Sequence, residues 1–291
     1  MKYGIFYPFW EQKWGTDYHP YIDKMNRLGF DILEISAVGL GEMSDDELKA
    51  LKDHGDEKNV TFTVGYGPHA DQSMASSDPA VVDNGLRFWE AVFRSMKKLD
   101  SKTACGGLYG YWPVDYSQPF DKEKDLENSI RNMRRLADIA MEYDVTTLGM
   151  ESLNRHEGYL INCAREAADY CKAVDRPNVK VHLDTYHMTL EEDSFTEAIH
   201  TAGSLLGHLH VGENNRKLPG QGHIINWKEI ADALHDIGYD GNVVMEPFVI
   251  HGGEVGHDIR IWRDMQADTS EATLDRETGE SLVFLKKVFE G

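Results

Sequence analysis

Along this chain, short runs of apolar, β-branched and aromatic residues alternate with longer stretches in which apolar residues return every three or four positions. The first pattern reads as buried strand and the second as amphipathic helix. Tyr3 to Tyr7 is the first predicted strand. Tyr21 to Leu28 has helical spacing and stops at Gly29. Phe30 to Ser36 is the second strand, and Ser44-Asp-Asp-Glu47 is a capping box opening a helix that runs to Lys58. Val60 to Val64 is the third strand, closed by the loop Gly65-Tyr-Gly-Pro68. Pro79 to Lys98 is a long helix with proline in its first turn, followed by a fourth strand at Thr103 to Gly107. Asp121 to Tyr143 is helical, Val145 to Glu151 the fifth strand, Ala164 to Ala173 a helix and Val179 to Asp184 the sixth strand. Phe195 to Thr201, Leu205 to His210, Trp227 to Ile237, Asn242 to Glu246 and Ser281 to Glu290 continue the alternation to an eighth strand and a closing helix.

Strands separated by helices must run parallel, and eight such units predict closure into a (β/α)8 barrel, one α/β domain over residues 1–291. An open doubly wound sheet would carry a glycine-rich phosphate loop after its first strand, where Tyr7-Pro-Phe-Trp10 stands instead. No Pro/Gly/Ser linker or low-complexity stretch interrupts the pattern. The polar segment Gln266 to Gly279 is expected to fray or to cover an edge.

Composition agrees with this picture. A length of 291 residues is ordinary for such a barrel, and 41% hydrophobic residues allow a sizeable core. The net charge of −20, from 50 acidic and 30 basic side chains, repels phosphate backbones and argues against nucleic acid and anionic membranes as partners. Three cysteines (Cys105, Cys163, Cys171) without CxxC spacing suggest neither a disulfide framework nor a zinc knuckle. Met1 leads straight into a strand, with no signal-like region and no apolar run near the length of a membrane span. The chain therefore reads as a cytoplasmic protein.

Candidate chemistry sits at four predicted strand ends: Leu148-Gly-Met-Glu151, Val179-Lys-Val-His-Leu-Asp184, Leu206-Gly-His-Leu-His210 and Val243-Val-Met-Glu246. In a parallel barrel the C-terminal strand ends converge on one mouth. A lone carboxylate there is ordinarily a loop cap. Glu151, Asp184, His210 and Glu246 on consecutive strands instead make a ligand set for one divalent cation. Three oxygen donors and one nitrogen suit Mn²⁺ best, with Co²⁺ and Mg²⁺ as alternatives, whereas structural zinc favours Cys and His. Glu157, His187 and Arg216 lie in the adjoining loops and could serve the oxygens of a small polyhydroxylated substrate. His182 and His208 precede their ligands by two residues and read as supporting or core histidines. Aromatics gather at other strand ends, among them Phe6, Tyr66, Trp112 and Phe248. They serve either ordinary packing or an apolar wall against the C–H face of a sugar, with Trp112 and Phe248 best placed for the latter.

With these residues in view, the chain resembles the ketose 3-epimerases (D-tagatose 3-epimerase and D-psicose, or D-allulose, 3-epimerase) of the xylose isomerase-like TIM barrels. The likeness covers nearly the whole chain. It is carried most specifically by Glu151-Ser-Leu-Asn-Arg155, Leu183-Asp-Thr-Tyr-His-Met188 and Met245-Glu-Pro-Phe248. Support comes from Trp10-Glu-Gln-Lys-Trp14, Tyr111-Trp-Pro-Val-Asp-Tyr-Ser-Gln-Pro119, Glu191-Glu-Asp-Ser-Phe195 and His210-Val-Gly-Glu213. The resemblance implies one Mn²⁺ or Co²⁺ on Glu151, Asp184, His210 and Glu246, with Glu157, His187 and Arg216 binding the sugar near its carbonyl. It also implies a homo-oligomer, dimer or tetramer. Phe6 stands where familiar members carry Tyr, and Gly222 to Trp227 is one residue longer than usual. The expected reaction inverts C3 of free ketohexoses (D-fructose/D-psicose, D-tagatose/D-sorbose) through a cis-enediolate, with Glu151 and Glu246 as the opposed proton carriers. Rival expectations are an aldose–ketose, hydroxypyruvate or inositol-type isomerase on the same barrel, a phosphodiesterase of the endonuclease IV type, and a sugar-binding barrel with a structural ion. The acidic charge and the His-poor ligand set speak against the phosphodiesterase.

Overall fold

Continuous apolar runs suit strands that are covered on both faces, and this is how the chain uses them. The computed structural model describes residues 1–291. Strands β1 (Lys2–Phe6), β2 (Ile32–Ser36), β3 (Thr61–Gly65), β4 (Thr103–Gly106), β5 (Thr147–Glu151), β6 (Val179–Asp184), β7 (Leu206–Val211) and β8 (Asn242–Met245) pair in sequential order as one closed parallel barrel. The ring closes where β1 meets β8, in register from Lys2 opposite Asn242 to Ile5 opposite Met245. Closure leaves no free sheet edge.

Around the barrel lie α1 (His19–Leu28), α2 (Asp45–Lys58), α3 (Pro79–Leu99), α4 (Lys122–Glu142), α5 (Ala164–Val174), α6 (Thr185–Glu191), α7 (Phe195–Ala202), α8 (Trp227–Asp236), α9 (Gly253–Asp258) and α10 (Glu271–Glu290). Local chemistry fixes their ends. The capping box of α2 is formed: the Ser44 hydroxyl accepts from Glu47 N–H at 3.3 Å and the Glu47 carboxylate accepts from Ser44 N–H at 2.8 Å. Pro79 opens α3 behind Asp78, whose side chain accepts from Ala80 N–H at 2.9 Å. Helices α2, α3 and α5 stop at Asn59, Asp100 and Asp175, with φ of 58°, 55° and 54°. These are left-handed positions that Asn and Asp tolerate.

The expected elements are found, with boundaries moved by a residue or two. The eighth strand stops one residue before Glu246, whose N–H still donates to Val211 O at 3.1 Å. Helices α6 and α9 had no expectation, because both are a short turn or two on the mouth side of a strand.

The C-terminal segment corrects a larger expectation. Residues 271–279 belong to α10, which is ten residues longer than its apolar pattern suggested. The inner face of α10 includes Asp275, Thr278 and Ser281, all buried. Asp275 accepts from Lys24 Nζ at 2.8 Å and Arg27 Nη2 at 2.7 Å, and Ser281 Oγ donates to Pro219 O at 2.8 Å. A helix docked by ion pairs and hydrogen bonds reads as a polar loop from its sequence alone.

Candidate active site

Because all strands are parallel and in sequential order, residues ending β5, β6 and β7, and the one just past β8, reach a common mouth. Glu151, Asp184, His210 and Glu246 each place a ligand atom there, all within 4.8 Å of one another. His210 Nδ1 stands 3.4 Å from Glu246 Oε1 and 3.8 Å from Glu151 Oε1. Glu151 Oε1 and His210 Nδ1 are buried and have no hydrogen-bond partner. Buried polar atoms are ordinarily satisfied. Two orphaned donor atoms facing one another, within a set of three carboxylates and an imidazole, fit a small hard or borderline cation. This group could hold a divalent metal ion.

Electrostatics point the same way. Burial, and next to it the charge of Glu246, pushes the Glu151 carboxyl well above the usual range. Burial also pushes Glu246 up, but the joint pull of His210 and Arg216 outweighs it and holds Glu246 below the usual range.

Arg216 is fully enclosed and donates from Nη1 to Asp184 Oδ2 at 3.0 Å and Glu246 Oε2 at 2.7 Å. Its guanidinium lies over the Tyr186 ring, 3.7 Å from the centroid, and 3.7 Å from Glu157 Oε2. The backbone at Arg216 has φ of 63°, a left-handed conformation that turns the side chain back into the barrel. His187 accepts at Nδ1 from Asn154 N–H (3.1 Å) and lies within 2.8 Å of the Asn154 side-chain nitrogen. That leaves Nε2–H facing Glu151 and Asp184, 3.6 Å from each. Burial, aided by Arg216 and His210 against the pull of Asp184, pushes His187 down to about 3, so it is a neutral donor. Glu157 is held by Asn154 Nδ2 at 3.0 Å.

Above the carboxylates opens a cavity of about 380 Å³. Phe6, Tyr66, Trp112 and Phe248 line it, together with Glu157, His187 and Arg216. Phe6 and Phe248 meet edge to face at 6.5 Å. Tyr7, Phe9 and Trp10, from the same aromatic run as Phe6, do not line the cavity and pack into the core instead. Trp14, from the same aromatic run near the first strand, does line the cavity, and its indole N–H donates to Asp258 Oδ2 at 2.8 Å, tying the loop after β1 to the neighbouring α9. One feature escaped the sequence. Glu34 lies fully buried beneath His210 and touches it. The only signal for Glu34 was a charge at the centre of the apolar run Ile32-Leu-Glu-Ile-Ser36.

Fold and site together define a class, the xylose isomerase-like TIM barrels, whose family description matches residues 22–267. The D-psicose 3-epimerase of Ruminiclostridium cellulolyticum is 49% identical over 290 residues, covering 100% of this chain and 98% of that protein. The D-psicose 3-epimerase of Agrobacterium fabrum is 43% identical, with both chains covered in full. The crystal structure of D-psicose 3-epimerase with D-tagatose from Clostridium cellulolyticum H10 superposes with a TM-score of 0.97 over 99% of each chain, at 49% identity. The chain belongs to the ketose 3-epimerase family, and so to the isomerases.

Proposed function

We propose that this protein inverts C3 of free ketohexoses, interconverting D-fructose with D-psicose and D-tagatose with D-sorbose, with one divalent cation per chain. The observation that carries this reading is the pair Glu151 and Glu246, one at the end of β5 and the other just past β8, both lining one small cavity, in a chain 49% identical along its whole length to a D-psicose 3-epimerase. A cavity of about 380 Å³ with polar groups at its floor and aromatic side chains on its wall suits a single sugar.

Glu151, Asp184, His210 and Glu246 would hold the cation, with Mn²⁺ the best match to the donors and Co²⁺ or Mg²⁺ as substitutes. Such an ion would supply positive charge to the sugar's reacting end, making the C3 proton more acidic. The residues do the rest. One of Glu151 and Glu246 takes the C3 proton, leaving a cis-enediolate, and the other returns a proton to the opposite face. Arg216, fixed by Tyr186 and two carboxylates, and neutral His187, fixed by Asn154, donate to the oxygens on which negative charge grows. Glu157 accepts from a sugar hydroxyl. Phe6, Tyr66, Trp112 and Phe248 cover the apolar C–H surface.

The whole chain serves as one domain in this reading, since α10 and α1 close the ring beside β8. No helix is long and apolar enough to cross a membrane, and we place the enzyme in the cytoplasm. Exposed Leu190, Ile224 and Trp262 line one shallow depression beside the mouth, which supports a homo-oligomer, dimer or tetramer, readable by light scattering.

Turnover of D-fructose in heavy water tests the reaction. Deuterium at C3 of both fructose and psicose is the expected result. Label at C1 alone, or product with no label, assigns the protein to aldose–ketose isomerisation instead.

A further inference from the structure

Glu34 on β2 does not line the cavity and has no part in the reaction just described. It is nonetheless a carboxylate sealed in the barrel interior, where a charge is costly unless donors surround it. Its donors are specific. Oε1 accepts from His210 Nε2 at 2.7 Å, and Oε2 accepts from Thr63 Oγ1 at 2.7 Å. His208 Nε2 stands 3.0 Å from Oε2, and Cys105 Sγ lies 3.5 Å from the same oxygen. A side chain at Gly65 would place its Cβ 3.2 Å from Glu34 Oε1, so the glycine leaves the carboxylate its room.

We propose that Glu34 is a positioning residue for His210, holding the imidazole so that Nδ1 faces Glu151 and Glu246 as a cation ligand. The inference rests on the reading of His210 as a ligand. A histidine binds a cation through one bare nitrogen, and a carboxylate on the other nitrogen fixes both the tautomer and the ring's rotation. Here the assignment is forced. Nε2 is committed to Glu34, and Nδ1 is the orphaned atom aimed at the cluster. Turning the ring over would withdraw Nδ1 from the cluster and break the 2.7 Å bond. The ring of His182 meets His210 edge to face, with centroids 4.1 Å apart, and closes off intermediate rotations. Thr63 Oγ1 donates to the other carboxylate oxygen, so Glu34 is itself held in place before any ion arrives.

Mn²⁺ binding to metal-stripped protein, measured by titration calorimetry with circular dichroism as a check on folding, tests this without reference to turnover. Wild type is compared with Glu34→Gln, His210→Ala and the double variant. Glu34→Gln keeps volume and removes charge. We expect it to bind Mn²⁺ about 10- to 100-fold more weakly than wild type, and to cause no further loss when His210 is already alanine. Should Glu34→Gln not fold, Thr63→Val loosens the same carboxylate without removing it. A weakening of a few-fold, again absent from the His210→Ala background, is the expected outcome. Wild-type affinity retained within about twofold in Glu34→Gln overturns the inference, as does an equal loss in both backgrounds, which would mark general damage to the core. A wild-type chain that takes up no Mn²⁺ overturns the cation reading and this inference together, whereas the preceding results overturn this inference alone.

Discussion

Glu151 and Glu246 are the same side chain in nearly the same place, yet burial and neighbours push their proton affinities in opposite directions. For a reaction that removes a proton from one face of a carbon and returns one to the other, both groups are needed in turn. Glutamine preserves shape and hydrogen bonding but cannot carry the proton. Glu151→Gln and Glu246→Gln are therefore each expected to lower kcat by about 10²-fold or more, with far-UV circular dichroism unchanged. Steady-state rates on D-fructose give the answer, and near-native turnover in either variant would end the two-carboxylate scheme. At this scale much was legible in the sequence. The four strand-end candidates could be marked because a parallel barrel sends every strand's C-terminal end to the same mouth. Glu34 and Asp258 could not. Glu34 reaches His210 from 176 positions away, and Asp258 reaches Trp14 from 244. Such distances appear only once the ring is closed.

Among the elements, α10 depends on a polar clamp to α1. Lys24 is buried and bridges Asp275 at 2.8 Å and Glu271 at 2.7 Å, while Arg27 takes the second oxygen of Asp275 at 2.7 Å. Burial alone would raise the Asp275 carboxyl. The hydrogen bonds from Lys24 and Arg27 outweigh it and hold the group below its usual range. A carboxylate with a folded value lower than its unfolded value adds stability above the unfolded value. That stability is lost as pH falls through the folded one. Asp275→Asn is expected to cost about 1 to 3 kcal/mol at pH 7, because it leaves the buried Lys24 ammonium with the exposed Glu271 as its one carboxylate partner. The gap to wild type should narrow as pH drops below about 4. Urea midpoints across that range measure it, and a constant gap would show that the carboxylate's ionisation is not what holds α10. The strand and helix alternation was readable because burial on both faces makes the strands uniformly apolar. The first half of α10 was not, since its inner face is satisfied by ions and hydroxyls rather than methyl groups.

For the whole molecule, a cation bound at the mouth would tie together β5, β6, β7 and the segment after β8, nearly half the ring. An ion that binds only the folded chain stabilises it in proportion to its saturation, by about 2.7 kcal/mol at one hundred times the dissociation constant. Stripping with chelator should therefore lower Tm, and adding Mn²⁺ back should restore it, in a calorimetric scan. An unchanged Tm would count against an ion shared by four elements.

By itself the sequence determined the period of the elements, their number and the residue type at each strand end, because side-chain alternation and helix spacing are local properties. From these, parallel closure and an acidic mouth follow. Only the tertiary structure decided which buried charges meet: Glu34 with His210, Asp275 with Lys24, Trp14 with Asp258. Each of these contacts spans the barrel interior or joins the two ends of the chain, and a chain's local pattern carries no record of where distant segments come to rest.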